Sequence, residues 1–200
     1  MGLAVFVGLI TGLGAVAFRF LIKAIGDFSY EWVPNALAGW GKSYVVLVPM
    51  LGGLIVGPLI YFFAREAKGH GVPEVMEAVA LRGGRIRPIV AVVKSLASSI
   101  TIGSGGSVGR EGPIVQIGSA IGSTLGQRLK LSDDRIRNLV ACGAAAGIAA
   151  TFNAPIAGVI FALEIILGEF SVSSFASVVV SSVVASVIGQ SVFGAQPAFI

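Results

Sequence analysis

Apolar stretches follow one another along nearly the whole chain, over 1–22, 44–64, 89–102, 114–125, 139–150, 156–167 and 170–193. No water-facing surface can be assembled from what lies between them. Charged residues make up only 12% of the sequence and the mean hydropathy is +0.91, whereas soluble domains carry about 25% charged residues. A helix crosses the hydrocarbon core of a bilayer with about 20 apolar residues. The fold class is therefore an all-α, multi-pass integral membrane protein whose first partner is the lipid bilayer. Several stretches are too short to cross alone, so tilted, broken and re-entrant helices are expected. The pattern predicts helices over 1–26, 44–65, 74–81, 88–101, 113–128, 137–150, 155–169 and 170–190.

The remaining polar residues exclude several function classes. Lys and Arg outnumber Asp and Glu, for a net charge of +4, but no basic stripe is interleaved with aromatics, so no nucleic-acid partner is expected. Arg65, Lys68, Arg82, Arg85 and Arg87 cluster between the second and third apolar stretches, which the positive-inside tendency places on the cytoplasmic side. Cys142 lies in an Ala/Gly-rich run and reads as a small packing residue. No spacing of His, Cys, Asp or Glu suggests a metal site, and no cofactor is implied. Residues 1–10 lack a basic flank, so the first stretch reads as a membrane helix rather than a leader. Residues 27–42 read as a polar loop with Trp32, Pro34 and Trp40, tryptophan being favoured at headgroup level.

Two glycine-rich segments interrupt the apolar pattern, and each runs straight into a helix start: Gly69-His70-Gly71-Val72-Pro73-Glu74, and Gly103 through Pro113. Irregular backbone persists at membrane depth only where it is buried in protein or lines a wet cavity. A helix start offers free N–H groups and a partial positive charge, which favour anions. Glycine lets those groups approach an ion without a side chain in the way. Discontinuous helices aimed at a midplane substrate are a transporter device, so the expected substrate is an anion. Glu111 stands in the second segment, just before the helix that Pro113 is expected to open. An intramembrane carboxylate is costly and functional by default. Being an anion itself, it can occupy the substrate's place and act as a gate. The plainer alternatives are that it caps its helix or pairs with Arg110.

Gly109-Arg110-Glu111-Gly112-Pro113 resembles the signature of the CLC family of chloride channels and chloride/proton exchangers. The 69–74 segment is similar to that family's first anion-filter motif, and Phe152-Asn153-Ala154-Pro155-Ile156-Ala157-Gly158-Val159-Ile160-Phe161-Ala162-Leu163-Glu164 to a third family segment. The three occur in the family's order and cover most of the chain. The resemblance implies a CLC-type fold of which this chain is the first of two inverted repeats, the second half being missing and the pore incomplete without it. It implies that Glu111 is the gating glutamate, that Gly109, Arg110, Gly112 and Pro113 form the outer turn, and that Gly69, His70, Gly71, Val72 and Pro73 form the inner anion-binding loop. It also implies a homodimer, with contacts partly from 155–169 and 170–189, in a cell membrane, here taken as prokaryotic.

Two positions depart from the family pattern. His70 stands where family members usually carry serine, and an imidazole is larger and can donate an N–H or carry charge. Ile165 stands where exchangers commonly carry a second glutamate as an internal proton relay; isoleucine holds no proton. Channel-like conduction of chloride is therefore favoured, with chloride/proton antiport as the alternative. A rival of another class, a membrane-embedded phosphate- or nucleotide-binding enzyme, fits poorly. Val108 stands where a third glycine of G-x-G-x-x-G belongs, and no Gly-Lys-Ser/Thr follows. The chain is not expected to be an enzyme.

Overall fold

The structure, a computed structural model, describes residues 1–33 and 44–194, and every regular element among them is helical. The order is α1 (Gly2–Asp27), α2 (Tyr44–Phe63), a 3₁₀ turn (Arg65–Ala67), α3 (Val72–Leu81), α4 (Pro88–Gly103), α5 (Glu111–Arg128), α6 (Asp133–Phe152), α7 (Pro155–Phe161) and α8 (Val172–Phe193). The all-α membrane fold class holds. Three spans, Gly2–Trp32, Tyr44–Phe63 and Ser174–Phe193, are long and apolar enough to cross a bilayer, and Pro88–Gly103 and Pro155–Leu167 are shorter apolar helices.

Small residues build the interior. α5 and α6 cross through their glycines: Gly118 packs on the Gly143 carbonyl, Gly143 on the Gly118 carbonyl, and Gly122 on the Leu139 carbonyl. A Cβ at any of these would run into backbone, which cannot move aside as a side chain can. The gain is close van der Waals approach, the main attraction between helices in lipid. α1 meets α8 in the same way, with Gly8 against Ser181 and Gly12 against Ala185 and Ile188. Around these crossings Ile114, Ile136, Val140, Leu163 and Val178 are fully buried. α2 stands apart: only Gly52 in it is buried, packed against Ser104 at the end of α4, and Pro49 and Pro58 both lie inside the helix.

Helix boundaries depart from the sequence pattern in instructive places. α5 begins at Glu111 rather than Pro113, with Arg110 as its N-cap. Proline is tolerated throughout a first turn because the N–H it lacks would have no intrahelical partner there. α3 likewise begins two residues before Glu74, at Val72. The polar loop expected from residue 27 is helical up to Trp32: Phe28–Trp32 continue α1 as a π turn, with the Phe28 and Trp32 rings stacked at 5.2 Å. Trp32 is exposed, while Pro34 and Trp40 lie outside the described residues. The helix expected over 155–169 is α only to Phe161, then a π turn over Ala162–Leu167, closed by Gly168 at φ +68°.

The α5–α6 crossing leaves no room for a methyl group. Gly143→Ala is expected to lower stability by about 1–3 kcal/mol, the range for overpacking a tight interior. A fall in thermal midpoint of the detergent-solubilised full-length protein checks it; an unchanged midpoint would show that the two helices can separate at no cost.

Candidate anion site at two helix starts

The two glycine-rich turns touch. Gly71, at φ +107°, packs on the carbonyl of Gly112, and Gly112 packs on the carbonyl of His70. The inner turn thus lies directly on the first turn of α5, and neither partner has room for a Cβ. The positive φ of Gly71 is open to glycine and strained for other residues, which explains the residue at that place in the sequence.

Each turn is tethered from a different part of the chain. The Gly71 N–H donates to Glu74 Oε2 at 2.7 Å, half of a capping box closing the start of α3. The Glu74 carboxylate also lies against Gly69. Lys94, in the middle of α4 and 5% exposed, donates through Nζ to the Gly69 carbonyl at 2.6 Å and the Ala67 carbonyl at 3.1 Å. Gln116, buried one turn into α5, donates through Nε2 to the Glu66 carbonyl at 3.0 Å. The outer turn bends at Gly105, φ +93°, over the Tyr30 hydroxyl, which donates to the Ser104 carbonyl at 2.8 Å. The irregular backbone is held by side chains 25 to 74 residues away.

Donors remain free where the turns meet helices. The first bond into α5 runs from Ile114 N–H to the Arg110 carbonyl at 3.1 Å. The amides of Glu111 and Gly112 take no backbone partner among the described residues, and Pro113 has no N–H. At α3 the first bond is Val75 N–H to the Gly71 carbonyl at 3.3 Å, and the amides of His70 and Val72 have no such partner there. Arranged at helix starts, such donors suit an anion chemically.

Glu111 is the first residue of α5 and is exposed, its carboxylate folded over Gly109. It makes no ion pair within 4.0 Å among the described residues. The guanidinium of Arg110 instead lies over the Phe152 ring, 5.2 Å from its centroid. A carboxylate at a helix N-terminus is favoured by the dipole, so the capping role offered by the sequence and the gating role share one position. His70 is exposed. Ile165 is 38% exposed and lines, with Met76, Asn138, Glu169 and Ser174, a crevice of about 1290 Å³ that includes neither His70 nor Glu111.

Sequence reasoning missed Lys94, Gln116 and Tyr30. For Lys94 the signal was present: a lone lysine in the apolar run 89–102. Gln116 and Tyr30 give none, since their partners are distant carbonyls.

Helix starts converging on a shared turn, with a carboxylate beside them, define the half-site of a membrane protein built from broken helices. The family described as "Voltage gated chloride channel" matches residues 52–200, and the chain belongs to that family. A putative chloride channel protein ClcB-like of Ralstonia nicotianae is 34% identical over 97% of this chain and 47% of its own length. An H(+)/Cl(-) exchange transporter ClcA of Vibrio vulnificus is 34% identical over 96% of this chain and 42% of its own. Among solved structures, a slow cyanobacterial Cl-/H+ antiporter superposes with a TM-score of 0.83 at 25% identity, covering 98% of this chain and 47% of the antiporter chain. A CLC-type fluoride/proton antiporter at 24% identity shares the fold, with a TM-score of 0.79 over 96% of this chain and 46% of its own. The chain thus spans a little under half the length of these relatives. The family is one of channels and transporters, not enzymes, which sets the nucleotide-binding reading aside.

The contact between the turns yields a local prediction. Gly112→Ala is expected to lift the inner turn from α5 and raise amide hydrogen exchange at residues 69–71 at least tenfold. Mass spectrometry of the full-length protein reads this; wild-type exchange in the variant would show that the turn is held without Gly112.

Proposed function

We propose that the protein to which this chain belongs carries chloride, or a similar small anion, across a bilayer, and that the ion passes between the inner turn (Gly69, His70, Gly71, Val72, Pro73) and the outer turn (Gly109, Arg110, Gly112, Pro113). One observation carries the reading: the inner turn rests on the first turn of α5, beside Glu111, which has no ion-pair partner among the described residues. Glu111 is the gate. Its carboxylate competes with the anion for the free amides, and leaves when protonated or displaced. The rest of the pore comes from a second half, and the working unit is a homodimer in a prokaryotic cell membrane. Apolar residues exposed on α7 and α8, such as Ile156, Ile160 and Phe175, suit lipid or a second copy.

Passive conduction is the favoured mode. Ile165 cannot bind a proton, and exchange needs a relay inward from Glu111. Chloride/proton exchange is the second reading, kept because one relative is named an exchange transporter and a structural neighbour an antiporter. Flux from proteoliposomes decides between them: chloride efflux without proton uptake supports conduction, and stoichiometric proton pumping under a chloride gradient overturns it.

Replacing Glu111 with Gln fixes the side chain in its neutral form. In the full-length protein, E111Q is expected to remove the pH dependence of chloride flux while flux persists within about threefold of the wild type; a retained pH profile would remove Glu111 from the gate. His70→Ser is expected to change the order of permeation among chloride, nitrate and bromide. Identical ratios in H70S and the wild type would place the imidazole outside the path.

A further inference from the structure

Among the described residues, Lys94 is the one buried charged residue that the scheme above leaves unused. It sits among apolar residues of α4, with Val90, Val93 and Ala97 also buried on that helix. A buried ammonium is costly unless hydrogen-bonded or paired. Its acceptors here are two backbone carbonyls, Gly69 at 2.6 Å and Ala67 at 3.1 Å. No carboxylate lies within 4.0 Å of it among the described residues, and the carboxylate of Glu74, across the inner turn, is engaged by the Gly71 N–H. Carbonyl dipoles stabilise the ammonium without cancelling its charge.

The direction of these bonds matters. In a trans peptide the carbonyl and the N–H point to opposite sides, and no peptide bond among the described residues is cis. Lys94 takes the Gly69 carbonyl, so the His70 N–H of the same peptide faces away from it. That amide has no backbone partner among the described residues, whereas the Lys68 amide, in the peptide of the Ala67 carbonyl, is used by Arg65 at 3.1 Å. Of the two peptides Lys94 grips, only the one in the inner turn leaves a donor without a backbone partner among the described residues, and the peptide after it, 70–71, is the one that packs on Gly112.

We infer that Lys94 is a positioning residue for anion binding: it holds the 69–70 peptide so that the His70 N–H is presented to the ion, and it supplies a fixed positive charge behind that turn. Without it the peptide is free to rotate and present a carbonyl, which repels an anion. The inference rests on the transport reading above. Its consequence is specific to affinity, because Lys94 lies behind the turn and does not gate the path.

The test uses the full-length protein in liposomes, with chloride flux measured against chloride concentration for the wild type, K94Q, K94M and K94R. The half-saturating chloride concentration is expected to rise at least tenfold in K94M and K94Q, and about threefold in K94R, which keeps the charge but brings a longer, planar head. Maximal flux is expected to stay within threefold of the wild type for each. A wild-type half-saturation in either neutral variant, or a fall in maximal flux alone, overturns the inference. Should the neutral variants fail to accumulate in the membrane, K94R decides, and a half-saturation equal to the wild type overturns it. A wild-type protein that moves no anion sinks the transport reading instead, so the two failures are distinct.

Discussion

An unpaired backbone amide or carbonyl has no water to turn to inside a bilayer, and each one left bare costs several kcal/mol. The two turns that interrupt the helices of this chain exist under that constraint. Side chains sent in from elsewhere take carbonyls in or next to them: Lys94 from α4 takes Gly69 and Ala67, Gln116 from α5 takes Glu66 in the 3₁₀ turn before the inner one, and Tyr30 from the π turn after α1 takes Ser104. What these tethers leave over is biased in sign. In the inner turn the Gly69 carbonyl is taken by Lys94 and the Gly71 carbonyl by the Val75 N–H, while the amides of His70, Val72, Glu111 and Gly112 are without backbone partners among the described residues. Amides left free at two helix starts are chemically suited to negative charge.

The tethers act at a distance only because the helices carrying them are locked together. The exchange of glycine contacts between α5 and α6 fixes α5, and α5 carries both Glu111 and Gln116. Close approach through Gly118, Gly122 and Gly143 makes that interface intolerant of sliding, since a shift by one residue would bring a side chain onto backbone. The packing of small residues and the placing of Glu111 are two results of one arrangement.

Much of this was legible in the sequence, and the illegible part has a physical explanation. Apolar length announced a membrane protein, and the glycine runs beside Pro73 and Pro113 marked where helices begin. The starts themselves fell two residues early, because Gly71 and Arg110 serve as N-caps and proline sits comfortably inside a first turn. Hydrophobic pattern cannot separate a π turn from an α turn, so Phe28–Trp32 and Ala162–Leu167 were invisible. Gln116 was illegible for another reason. A glutamine in an apolar helix says that a polar partner exists but not which, and here it is a carbonyl 50 residues earlier. That the inner and outer turns meet, Gly71 on Gly112, is a fact of tertiary packing that no local pattern encodes.

The charges around the site divide into fixed and movable, and the division follows from their partners. Lys94 is held by two carbonyls on packed backbone, so its positive charge stays in place. Glu111 has no ion-pair partner among the described residues, and Arg110, the adjacent cation, is drawn over Phe152. Had Arg110 closed on Glu111, the pair would have been neutral and the carboxylate less free to move. Keeping the two apart leaves a negative side chain attracted to the site by the helix dipole and free amides, terms small enough for a competing anion to match. The gating role proposed for Glu111 needs that near-balance: an ion pair there would hold the carboxylate too firmly for an anion to displace, and an apolar residue would not compete at all.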